Sequence, residues 1–176
     1  MNSTTSTAEN NPFPYPSPVE EQYNISVGKF VFLSFITFGL YQLWWTYKAW
    51  RFFKQKQDLD ITPPLRALFG LFFLWPLFTR IKNFAEEQGY TKPFYPLLLF
   101  LGSLLFEVFS LLPGPFFIVS LLSIVFFIPP FNALNYAKLQ CNEFITIEKE
   151  SFNTRQIVLI CLGTVFWLLV LLGMFL

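Results

Sequence analysis

One carboxylate, Glu107, lies well inside a long apolar run, Phe94 to Leu112. Desolvating a carboxylate there is costly, so such a residue either serves an ion, proton or substrate path or is tied to a local hydroxyl. Ser103 and Ser110 stand four residues before and three after it, within reach on a helix. Glu107 is also five residues from the end of the run, where water at the outer interface could reach it. Asn83, Asn132, Asn135 and Asn142 can cap helices, hydrogen-bond between them or line a polar site. Glu107, Ser103, Asn83 and Asn135 therefore form one candidate set, an intramembrane polar site. Ser120 and Ser123 are expected to bond back to their own helix carbonyls or to pack against a neighbour.

A second set offers electrostatic chemistry. Lys48, Arg51, Lys54 and Lys56 follow or flank Trp44, Trp45 and Trp50. Bases beside a membrane attract anionic headgroups, each contributing about 1 kcal/mol near the surface. Tryptophan favours the same interfacial level. These seven residues are expected to contact lipid headgroups, unless the bases serve only as a positive-inside anchor.

Other chemistry is missing. The chain has no histidine, and its two cysteines, Cys141 and Cys161, sit in unlike surroundings. There is no Gly-rich phosphate loop, no Cys/His ligand set and no nucleophile–base spacing. Glu86-Glu87 and Glu148/Glu150 read as solvated charges. No catalytic residue, metal site or cofactor is predicted, and the expectation is a non-enzymatic protein. A net charge of +1 gives no basic field for nucleic acid.

The elements that position these residues are apolar. Of 176 residues, 54% are apolar, 13% charged and 21% aromatic, with 25 phenylalanines. The apolar residues come in long runs that a soluble surface would leave exposed and that lipid would solvate. Phe30 to Tyr47 is the first run, interrupted by Gly39. It is either one span or a hairpin broken at Thr37-Phe38-Gly39 and followed by an interfacial helix. Lys48 to Gln57 reads as an amphipathic helix. Ala67 to Thr79 is too short for an ordinary span, contains Pro76 and fits a re-entrant segment. An amphipathic helix, Phe78 to Gln88, follows, with Phe78, Ile81 and Phe84 on its apolar face. Phe94 to Leu112 is a span, Pro113-Gly114-Pro115 a turn, and Phe116 to Ile128 runs back to Pro129-Pro130. Leu134, Ala137, Cys141 and Phe144 then share one face of a further amphipathic helix, with Asn135, Lys138 and Asn142 on another. Ile157 to Leu176 is a final uncharged span.

The expected fold is an all-α integral membrane protein with three to four spanning helices, one or two re-entrant or broken helices, and cytoplasmic amphipathic helices. Residues 1–25, rich in Ser, Thr and Pro, are expected to be a disordered tail, extended around Asn11 to Pro18. Residues 26–176 form one membrane domain, divided into 26–57, 64–88, 94–144 and 155–176. If Ala67–Thr79 re-enters, the basic residues from Lys48 to Arg155 fall on one side. The positive-inside rule makes that side cytoplasmic and leaves the C-terminus periplasmic.

The stretch Lys29 to Arg51 carries Thr37-x-Gly39-x-Tyr41 followed by Trp44-Trp45-x-Tyr47-Lys48. It resembles the opening of small, uncharacterised bacterial multi-pass membrane proteins of the domain-of-unknown-function type. Those proteins share a Pro-rich leader like Asn11-Pro12-Phe13 and a segment like Pro64 to Gly70. The resemblance covers about the first half of the chain. It implies a bacterial inner membrane location and brings no activity or site residue. Two functional expectations follow. One is a non-enzymatic protein that organises anionic lipid, a membrane partner or further copies of itself at the cytoplasmic face. The other is a small transporter or channel-like protein using Glu107 and the broken helices.

Overall fold

A computed structural model describes residues 19–112, 117–148 and 151–175. The leader around Asn11 to Pro18, the Pro113-Gly114-Pro115 turn with Phe116, and Lys149, Glu150 and Leu176 lie outside the described residues.

The first apolar run breaks where its sequence is least helical. Helix α1 (Val27–Ile36) begins at Ser26, whose hydroxyl accepts the Lys29 amide, and ends before Phe38 and Gly39. Both of these have positive φ, 52° and 84°. The Gly39 amide donates to the Ser34 carbonyl and the Phe38 amide to the Phe35 carbonyl, a Schellman closure of α1. The Thr37 hydroxyl joins both helices, donating to the Leu33 carbonyl and accepting from the Tyr41 amide. Helix α2 (Leu40–Lys56) then runs back along α1. Phe30 and Trp45 would be about 22 Å apart on one straight helix, yet their rings are 5.7 Å apart. The geometry thus selects the broken hairpin over the single span.

Pro63 opens α3 (Pro63–Leu68), and after Phe69 the chain enters α4 (Gly70–Glu87). The sequence suggests a short re-entrant segment, Ala67 to Thr79, broken at Pro76, and then a separate amphipathic helix from Phe78. Instead α4 runs through Pro76 as one 18-residue helix. Its apolar stripe of Leu74, Leu77, Phe78, Ile81, Phe84 and Ala85 is buried on both sides of Pro76, which supports the backbone across the proline.

Helix α5 (Pro96–Val108) ends in a 3₁₀ turn, Phe109–Leu111. The chain returns through α6 (Phe117–Ser120), a 3₁₀ stretch, Leu121–Phe127, and α7 (Ile128–Gln140). Pro129 and Pro130 occupy the first turn of α7, where a missing amide costs nothing, so the helical path continues past them. Gly102 lets the outgoing and returning segments approach closely: a Cβ there would stand 2.2 Å from the Phe126 ring.

Most of the described chain is helical, as expected, but it also holds two short strands that the sequence pattern does not indicate. Strand β1 (Gln22–Asn24) pairs in parallel with β2 (Thr146–Glu148), Gln22 opposite Thr146. The expectation of a tail through residue 25 is therefore corrected for residues 19–25. Val19 is only 4% exposed, and Asn24 is held by the main chain of α7.

The last helix, α8 (Thr154–Phe175), runs parallel to α1. Phe32 meets Phe152 at one end, while Phe38 stacks on Trp167 at 4.4 Å at the hairpin tip. Gly163 permits the contact, since a Cβ there would meet the Ile36 carbonyl at 2.3 Å. The rise along α8 from Thr154 to Trp167 is about 20 Å.

Among the described residues, two helices are long and apolar enough to cross a membrane, Ile118–Gln140 and Thr154–Gly173. Val27–Ile36 and Pro96–Leu111 are apolar but shorter. The helical count is thus lower than the three to four spans expected, because the first run breaks and α5 closes early. A subset of the aromatic residues builds a core. Trp50, Phe52, Phe53, Phe78, Phe84 and Phe131 are all buried. Phe52 packs on Phe84 and Phe144 at 5.5 and 5.4 Å.

Candidate anion-binding cleft

The expected intramembrane polar site does not assemble. The Glu107 carboxylate accepts a hydrogen bond from the Ser123 hydroxyl at 3.0 Å. Ser123 faces it from the returning segment, so it does not bond back to its own helix. Ser103 is buried but donates to the Phe100 carbonyl of α5. Ser110 donates to the backbone carbonyl of Glu107, not to its carboxylate. Asn83 is exposed on α4. Asn135 donates to the Ile25 carbonyl at 3.0 Å, while its main-chain carbonyl accepts from the Asn24 side-chain amide at 3.1 Å, so it fastens β1 to α7.

The expected headgroup layer is divided. Trp44 is 46% exposed, but Trp45 and Trp50 belong to the core. Trp50 is covered by the Arg66 guanidinium, 4.6 Å from its ring. Arg51 pairs with Glu20, Lys54 donates to the Ile61 carbonyl, and Lys56 pairs with Glu143 at 2.6 Å. Three of the four bases therefore stitch α2 to neighbouring segments. Lys48 makes no hydrogen bond or ion pair among the described residues.

Lys48 faces a cleft of about 800 Å³ between α2, α7, β1 and the start of α8. Two further cations line it, Lys138 and Arg155. Lys138 is 7% exposed. Its ammonium donates to the Gln22 side-chain oxygen at 3.0 Å and lies 4.7 Å from the centre of the Phe52 ring. Neither Lys138 nor Arg155 has a carboxylate within ion-pair distance among the described residues. Loss of water lowers the Lys48 pKa, Arg51 and Arg155 add to that, and Glu20 opposes them.

The remaining walls are mixed. The Tyr41 oxygen accepts from the Gln156 side-chain amide at 3.0 Å. The Asn153 amide donates to the Gln156 side-chain oxygen, and the start of α8 from Thr154 to Gln156 lines the cleft end. The Asn24 side-chain oxygen is buried without a hydrogen-bond partner among the described residues. Trp44, Trp45, Phe131, Leu134, Val158 and Leu159 supply an apolar side. Such a lining can hold an anion at one end and an apolar tail at the other. Among the described residues no cluster of His, Cys, Asp and Glu could hold a metal ion.

In the sequence, Lys138 and Arg155 stand out only as positive-inside charges. The expected place of Lys138 on the polar face with Asn135 and Asn142 is corrected: the lysine is only 7% exposed, because at i+4 from Leu134 it packs inward beside Ala137 and Cys141. Nothing local in the sequence brings Gln22 or Arg155 beside it.

Comparison with protein-family models, curated protein sequences and solved structures gives no match to this chain.

Proposed function

We propose that this chain is a non-enzymatic, multi-pass membrane protein that holds an anionic lipid headgroup in the cleft at its cytoplasmic face. One observation carries the reading: Lys48, Lys138 and Arg155 converge on a half-apolar cleft where the apolar helix α8 begins. An unpaired buried ammonium is costly, and a bound anion offsets that cost. The apolar wall continues onto Val158, Leu162 and Val165 of α8, all more than half exposed and suited to acyl chains.

The topology that goes with this reading has Pro96–Leu111, extended by the non-helical Phe94, Tyr95 and Leu112, the Ile118–Gln140 rod and α8 crossing the bilayer. The α1–α2 hairpin enters but does not cross, because its tip meets α8 only about 20 Å below the cleft level, against a core of about 30 Å. The α3–α4 corner dips similarly, exposing Leu68, Phe69 and Phe72. The bases then gather on the cytoplasmic side and the C-terminus on the other. The bacterial inner membrane setting rests on the resemblance of Lys29 to Arg51. A transport path through Glu107 has less support, since that carboxylate is engaged by Ser123.

The test is lipid retention. Protein purified in mild detergent is exposed to equal amounts of phosphatidylglycerol and phosphatidylcholine, and bound lipid is read by native mass spectrometry. Retention of the anionic lipid, reduced in a Lys48→Ala/Arg155→Ala variant, is the expected outcome. Equal retention of both lipids would sink the proposal.

A further inference from the structure

We infer that the cleft is built for a phosphomonoester headgroup carrying two negative charges, as in phosphatidate, over a singly charged phosphodiester. The inference rests on the headgroup proposal and specifies its chemistry. Two features carry it.

The first is charge. Lys48, Lys138 and Arg155 present three cations to one cleft. The carboxylate that acts on this group, Glu20, is already paired with Arg51. A phosphodiester would neutralise one of the three. A phosphomonoester has a second ionisation near pH 6, and adjacent cations favour its fully ionised form, so it neutralises two.

The second is the balance of donors and acceptors. Lys138 has three N–H donors, and Gln22 accepts from one. The others are enclosed with a side chain 7% exposed. Lys48 and Arg155 add further donors. A monoester offers three terminal oxygens, each a strong acceptor, whereas a diester offers two. The positive end of the α8 dipole acts in the same direction.

The experiment uses the full chain in nanodiscs of neutral lipid doped with phosphatidate or with phosphatidylglycerol at matched total charge. Retained lipid is read by native mass spectrometry. About tenfold preference for phosphatidate is expected, collapsing in Lys138→Met and, as a check that cannot disturb the core, in the exposed-residue variant Arg155→Gln. Equal retention at matched charge overturns the phosphomonoester assignment and leaves the headgroup proposal standing. Retention of neither above phosphatidylcholine overturns both. Inorganic phosphate alone is the third arm, read as protection against thermal unfolding. If it protects as well as phosphatidate does, the ligand is a free phosphate and the lipid assignment fails.

Discussion

The Lys138 ammonium donates to the Gln22 side-chain oxygen at 3.0 Å, across 116 positions of sequence. That single bond joins α7 to the strand that closes the N-terminal segment over the cleft. It also gives the buried lysine a neutral acceptor in place of a counter-ion. The Phe52 ring face at 4.7 Å adds a second, weaker source of negative potential. Neither neutralises the charge. The fold therefore tolerates an ammonium whose electrostatic complement is missing from the described chain, an arrangement that suits a site better than a core.

Lys138→Met tests whether the lysine serves the fold or the ligand. Methionine keeps the length and removes the unpaired charge. Replacing buried charge with apolar volume is often neutral or stabilising by about 1 kcal/mol or more. The ligand-free variant should unfold at the same temperature as the parent or higher, while retention of anionic lipid falls. Thermal unfolding in detergent, run beside the lipid assay, separates the two effects. A marked loss of thermal stability would assign Lys138 to the fold instead.

The hairpin depends on Gly39 in a way that can be isolated. Its φ is 84°, and a Cβ would meet nothing nearer than the Gln42 side-chain oxygen at 3.8 Å. Space is available, so Gly39→Ala should cost only the left-handed backbone strain, about 1 kcal/mol. Gly28 is the control. It lies in the first turn of α1, has no positive φ, and a Cβ added there would have no neighbour within 4 Å. Gly28→Ala should be neutral or slightly stabilising. Thermal unfolding of the two variants gives the comparison. Equal effects from both substitutions would show that the turn is not the strained element.

Glu107 separates the structural reading from the transport reading. Glu107→Gln keeps an oxygen to accept the Ser123 hydroxyl, whereas Glu107→Leu leaves that hydroxyl without its partner. The first should leave stability nearly unchanged, and the second should lower it by about 1 kcal/mol. Anionic lipid retention should be the same in both. Ion or proton flux in liposomes that is present in the parent and abolished by Glu107→Gln would instead favour a transport path.

Much of the helical plan is legible in the residues. The Thr37-Phe38-Gly39 break is one of the two readings the first run allows, because a glycine and two poor helix formers interrupt it. The buried face of α4 follows from the spacing of Phe78, Ile81 and Phe84. Three things escape the sequence. Pro76 signals a break that does not occur, because local propensity cannot see the packing that carries a helix across it. Trp45 and Trp50 suit both interface and core, and only tertiary contacts distinguish the two. The cleft itself depends on β1 reaching β2 and α7 over more than a hundred residues, a pairing that a three-residue strand does not announce.

Lys48 supplies a pH prediction whose sign is set by its surroundings. Desolvation, then Arg51 and Arg155, lower its pKa below the ordinary 10.5, with Glu20 opposing, so the unfolded chain holds this proton more tightly than the folded one. Stability must therefore rise with pH between the lowered folded value and the ordinary one, and the penalty is fully present below that window. Comparing the parent with Lys48→Met removes this contribution together with the repulsion that Lys48 exerts on the neighbouring Lys138 ammonium, and both act in the same direction. The parent should gain thermal stability relative to the variant as pH rises from neutral towards about 10. Phosphatidate in the cleft should shrink the difference, because an adjacent anion restores the lysine's affinity for its proton. A difference that is flat across this range, with or without the lipid, would mean that Lys48 is solvated in the folded protein and takes no part in the cleft.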